Sequence, residues 1–83
     1  MPIRILKAAK FEKELRKLPT KEQKKIVDEI DLFEDGKPVD IIRLDKDLWR
    51  LKIGNWRVFM RFKGDLAEIL TVERRKTTTY RKR

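Results

Sequence analysis

The feature that constrains this chain most is the alternation on either side of Gly54-Asn55. Trp49, Leu51 and Ile53 precede the pair and Trp56, Val58 and Met60 follow it, apolar at every second position. Successive side chains on a strand point to opposite faces, and Gly-Asn between two such runs is a two-residue hairpin turn. With that turn, Ile53 lies opposite Trp56, Leu51 opposite Val58 and Trp49 opposite Met60, all on one face. A register shifted by one residue would set apolar side chains against charges. A second turn follows at Lys63-Gly64-Asp65. With Gly64-Asp65 as the loop, Met60 faces Ile69 and Phe62 faces Ala67; a three-residue loop would turn Glu68 into the core. The other face then carries Arg50 and Lys52 opposite Phe59 and Arg57, and Arg61 opposite Glu68. This register sets Arg57 opposite Val72 and brings the even-numbered residues of the last strand onto that same face, Arg74 among them if the strand continues that far.

The first half reads differently. Pro2 to Leu6 alternates and predicts a short strand. Phe11, Leu15 and Leu18 make one helical stripe, with Glu12 and Arg16 spaced to pair at the surface. Pro19 stops that helix. Thr20 is placed to cap the next one, with Gln23 completing a capping box. Ile26, Val27, Ile30 and Phe33 form the second stripe, and Asp35-Gly36 with Pro38 ends it. The expected fold is a small α+β domain in strand–helix–helix–three-strand antiparallel order, with the helical hairpin packed on one face of the sheet. At 83 residues the chain is expected to be one domain over 1–83: strand and helical hairpin in 1–38, antiparallel strands in 39–76, basic tail in 77–83.

Composition narrows the chemistry. The chain holds 23 Lys plus Arg against 14 Asp plus Glu, a net charge of +9, and it has no His, Cys or Ser. This excludes Ser-His and Cys-His nucleophiles, the usual zinc sites and a histidine general base. An enzyme here must work with Lys, Arg, Tyr, Asp or Glu. No apolar run approaches a membrane span and no signal peptide is apparent, so the chain is expected to be soluble and cytoplasmic, with no membrane partner. The charge is uneven: about +2 over 1–38 and about +7 over 39–83. Such a field favours a polyanion or an acidic protein as partner.

Lys52 opposite Arg57 is a like-charge cross-strand pair, which costs up to about 1 kcal/mol. Arg50, Arg61 and Arg74 are expected beside it, with Glu68 to offset them, and Phe59, Leu70 and Val72 supply an apolar floor. A solvated basic face is the plain reading. A cation cluster over an apolar floor also suits a phosphodiester with its bases. Asp45-Lys46-Asp47 reads as a polar turn before a metal site. Trp49 and Trp56 read as core, and Thr77 to Thr79 as extended backbone.

Leu48 to Phe59, with its aromatic Trp49, alternating Arg50 and Lys52, Gly-containing turn and Trp56-Arg57-Val58 step, resembles the hairpin of the RelE/ParE superfamily of type II toxins. The element order and the basic tail match that family over nearly the whole chain. The resemblance implies a toxin of a toxin–antitoxin system: a messenger-RNA endonuclease acting in the ribosomal A site, or, for ParE-like members, a DNA gyrase inhibitor. A plain basic RNA-binding module is the third alternative. Carried residue by residue, the resemblance implies Lys52 as base, Arg57 as phosphate stabiliser, Arg74 (or Arg75) beside the leaving oxygen, and Tyr80 stacked on a base. Arg50, Arg61, Arg75, Lys76 and Arg81 would contact RNA. The implied partners are a cognate acidic antitoxin, the ribosome and messenger RNA, and no metal or other cofactor is required.

Overall fold

The structure, a computed structural model, describes residues 3–74. Its elements are β1 (Arg4–Lys7), α1 (Ala9–Arg16), α2 (Thr20–Glu34), β2 (Ile41–Arg43), β3 (Leu48–Ile53), β4 (Trp56–Lys63) and β5 (Leu66–Arg74). One five-stranded sheet has the order β1-β5-β4-β3-β2. β1 runs parallel to β5, and every other neighbour is antiparallel. The helices follow β1 and lead into β2, so the two strands that flank them are the two edges of the sheet.

The turns act as the sequence pattern predicts. Gly54 and Gly64 take φ of +58° and +61°, and no other residue type has positive φ among the described residues. A positive φ at the first central position alone is the pattern of a type II′ turn. The β3–β4 register pairs Ile53 with Trp56, Leu51 with Val58 and Trp49 with Met60. Leu51, Ile53, Trp56, Val58, Met60, Ala67, Ile69 and Val72 pack with Phe11, Ile26, Ile30 and Phe33 of the helices in one buried cluster. The helical hairpin therefore covers one sheet face, and Phe62 extends the cluster by touching Phe33 edge-on at 5.9 Å and Trp49 at 5.4 Å between ring centres.

Several local expectations change. β2 is a fourth strand after the helices, pairing Ile42 with Arg50 at the sheet edge; three residues are too few to declare an alternation. α1 ends at Arg16, two residues before the stripe suggests. Glu12 and Arg16 do not pair; Lys10 and Glu14 do, at 2.9 Å. No capping box forms at α2. Pro19 occupies the cap position, its carbonyl accepts from the N–H groups of Glu22 and Gln23, and Gln23 Nε2 donates to the Leu18 and Arg16 carbonyls at 2.8 and 3.4 Å. Gln23 thus satisfies the end of α1, because the tight Pro19 connection brings the free carbonyls there within its reach.

The largest correction lies in β5. Arg61 faces Glu68, Phe62 faces Ala67 and Met60 faces Ile69, as the turn requires. The register then slips: Phe59 faces Thr71, Val58 faces Val72, Arg57 faces Glu73 and Trp56 faces Arg74. Leu70 is the extra residue of a β-bulge. The slip puts Val72 into the core at 6% exposure where the unbroken register would have buried Thr71.

Candidate nucleic-acid interface

The sheet face away from the helices carries Arg50 and Lys52 on β3 and Arg57, Phe59 and Arg61 on β4, because each alternates with a core residue. Lys52 and Arg57 are direct cross-strand partners, and Arg50 faces Phe59 on one side and Ile42 on the other. All five are partly buried rather than fully solvated.

The cations differ in what engages them. Arg61 Nη1 lies 3.4 Å from Asp47 of the β2–β3 loop and opposite Glu68. No side-chain hydrogen bond or ion pair among the described residues engages Arg50, Lys52 or Arg57. The Nε of Arg50 is fully buried without a hydrogen-bond partner among the described residues. An unpartnered buried donor is costly, about 1–3 kcal/mol, and a ligand that accepts from it would remove that cost. Arg57 has Lys52 on one side and Glu73 on the other. A carboxylate therefore joins the row at a position where the unbroken register expects Val72.

Arg74 is not on this face. It pairs with Trp56, and its guanidinium carbon sits 5.7 Å from the centre of the Trp56 ring. Trp56 Nε1 in turn donates to Glu22 Oε1 at 2.7 Å. These groups, with Leu18, Pro19 and Asn55, line a cleft of about 370 Å³ beside the turn between α1 and α2. Arg75, Lys76, Tyr80 and Arg81 lie outside the described residues. Asp45 and Asp47 serve the loop itself: Asp45 Oδ1 accepts from the Lys46 N–H at 2.7 Å, and Asp47 holds Arg61.

Sequence reasoning missed Glu73 and the pairing of Arg61. The signal for Glu73 was present. Ala67 and Ile69 are two apart, but the next buried residue, Val72, comes three later, and a step of three in a period of two marks an inserted residue. The Asp47–Arg61 contact depends on how the β2–β3 loop returns, which no periodicity describes.

No family model matches the sequence, and no curated protein matches it. Solved structures do. The chain is similar to RelE in the archaeal RelE–RelB complex of Pyrococcus horikoshii OT3, at 26% identity and TM-score 0.76, over 90% of this chain and 97% of that one. It is similar to a chain of the Mycobacterium tuberculosis toxin–antitoxin complex RelBE2, at 21% identity and TM-score 0.75, over 90% of this chain and 100% of that one. It is also similar to a chain of the RelB–RelE antitoxin–toxin complex of Methanococcus jannaschii, at 23% identity and TM-score 0.72, over 83% and 88% of the two chains. The chain has a RelE-like toxin fold.

Proposed function

We propose that this chain is the toxin of a toxin–antitoxin pair and that its open sheet face cleaves messenger RNA in the ribosomal A site. The observation that carries the reading is the trio Arg50, Lys52 and Arg57, which no side chain among the described residues engages, held partly buried on the face of a RelE-like sheet away from the helices. A phosphodiester placed over Lys52 and Arg57 relieves their mutual repulsion.

In the proposed reaction a ribose 2′-oxygen attacks the adjacent phosphorus. Lys52 takes the 2′-hydroxyl proton. The bond from phosphorus to the 5′-oxygen breaks, leaving a 2′,3′-cyclic phosphate and a 5′-hydroxyl. Arg57 stabilises the charge that gathers on the phosphoryl oxygens, and Arg50 anchors the strand. With Arg74 stacked on Trp56, the leaving 5′-oxygen takes its proton from water. Tyr80 is proposed as the base-stacking residue, with Arg75, Lys76 and Arg81 as backbone contacts. A site of this kind contributes charge and orientation, so it depends on the ribosome to align the message.

The proposed antitoxin is an acidic, partly flexible protein that covers the basic surface. Two results test the reading. Expression should arrest growth, and co-expression of the neighbouring reading frame should restore it. The purified chain should cut ribosome-bound message and leave gyrase supercoiling unchanged. Gyrase inhibition without cleavage would contradict the nuclease reading.

A further inference from the structure

β5 outruns its parallel partner. β1 ends at Lys7, and the Ala8 N–H donates to the Ile69 carbonyl at 2.9 Å as the last strand-like contact on that side. From Leu70 onward no strand among the described residues lies beside this edge of β5; α1 lies there instead. The Glu14 carboxylate occupies the vacated position. Its Oε1 accepts from the Val72 N–H at 3.1 Å and from the Thr71 hydroxyl at 2.5 Å. Lys10 Nζ donates to Glu14 Oε2 at 2.9 Å and to Thr71 Oγ1 at 3.1 Å. The three contacts to Thr71 and Val72 close immediately after the bulged residue, and the bulge decides on which sheet face Glu73 and Arg74 emerge.

We infer that Glu14 is a positioning residue that substitutes for a missing strand partner and locks the β5 bulge, so that Glu73 rather than an apolar residue stands beside Arg57. The consequence for RNA rests on the function proposed above; the consequence for register does not. In the locked register the row reads Lys52, Arg57, Glu73, and Arg74 is stacked away on Trp56. In the unbulged register Val72 would face Arg57, and Arg74 would join the cations. One carboxylate on α1 thereby sets both the sign and the number of charges on the opposite sheet face. Thr71 gains from the same lock, because its hydroxyl meets two charged partners instead of entering the core.

The test compares Glu14→Ala, Glu14→Gln and Thr71→Val in the full chain. Cross-strand nuclear Overhauser contacts of Arg57 report the register, and exchange of the Val72 amide reports the clamp. Glu14→Ala should lower Val72 protection at least tenfold and replace the contact between Arg57 and residue 73 by one to residue 72. Glu14→Gln should preserve the parental register, since its amide oxygen can still accept from Val72 and Thr71. Salt dependence of binding to a short single-stranded RNA supplies the second readout. Bringing Arg74 onto the face should steepen the slope by about 0.7 per added phosphate contact, which simple destabilisation would not do. Should Glu14→Ala fail to fold, Thr71→Val removes one donor, leaves the charge, and should still lower Val72 protection. Unchanged Val72 protection and an unchanged Arg57 contact in the variants would overturn the inference. A changed register with an unchanged salt slope would uphold the lock and count against the RNA-binding face.

Discussion

The β3–β4 hairpin and the distal half of β5 lie side by side in the same sheet, yet their registers are fixed by different means. In the hairpin, six apolar residues at period two and one Gly-Asn turn agree, and the pairing follows without interruption. In β5 the turn at Gly64-Asp65 fixes the first four pairs, and then burial overrides the pattern. Val72 enters the core, Leu70 is left without a partner, and Glu14 from α1 supplies the edge contacts. A turn thus specifies register only as far as the hydrophobic phase holds. Where the phase changes, the chain inserts a residue and needs a polar group from elsewhere to satisfy the exposed edge.

The strongest way to break the hairpin is from its core face. Leu51 is fully buried, so Leu51→Ala should cost about 2–5 kcal/mol, read from the denaturation midpoint. The turn is the next point of attack. Gly54→Ala forces a Cβ into a left-handed conformation and should cost about 1–2 kcal/mol. The new Cβ would meet Lys25 Nζ at an ordinary 3.6 Å, so backbone conformation rather than crowding sets that cost.

On the β5 side the probe is acid. Burial pushes the Glu14 carboxyl up, but hydrogen bonds from Thr71, Lys10 and the Val72 N–H, with the Lys10 charge, outweigh it and hold the group below its ordinary value. Lys13 and Lys17 line the same surface. Because the folded value is depressed, the unfolded chain binds more protons there and stability falls with falling pH. The Glu14 contribution is complete above the ordinary glutamate range and is lost as pH drops through the folded value. Glu14→Gln should flatten that part of the acid limb and cost about 1 kcal/mol near neutrality, measured by urea unfolding across pH. The smallest effect is expected on the open face, where Lys52→Ala removes a like-charge neighbour of Arg57 and should change stability by less than about 1 kcal/mol, in the favourable direction.

Much of the frame was legible in the sequence. Both turns, the inward Trp49 and Trp56, and the shared face of Arg50, Lys52 and Arg57 follow from period two and two glycines. The RelE-like fold follows from the Leu48–Phe59 hairpin and the element order. What escaped was decided by contacts between residues distant in sequence. Glu14 and Val72 are 58 positions apart, and Gln23 caps a different helix from the one it begins. Arg74 follows the alternation only if no residue is inserted before it, so the bulge at Leu70 moved it to Trp56 and brought Glu73 to Arg57.

Arg57, which no described side chain engages, and Arg61, which Asp47 already holds, differ in what they can offer a phosphate. The most direct measurement is single-turnover cleavage of a message on programmed ribosomes at saturating toxin, with Arg57→Ala and Arg61→Ala beside the parent. Arg57→Ala should lose about 10²–10³ in rate with its stability retained, whereas Arg61→Ala should lose less than about tenfold, the range of a screened surface contact. Parental cleavage by Arg57→Ala, or equal losses in the two variants, would contradict the assignment of the Lys52–Arg57 row as the reacting site.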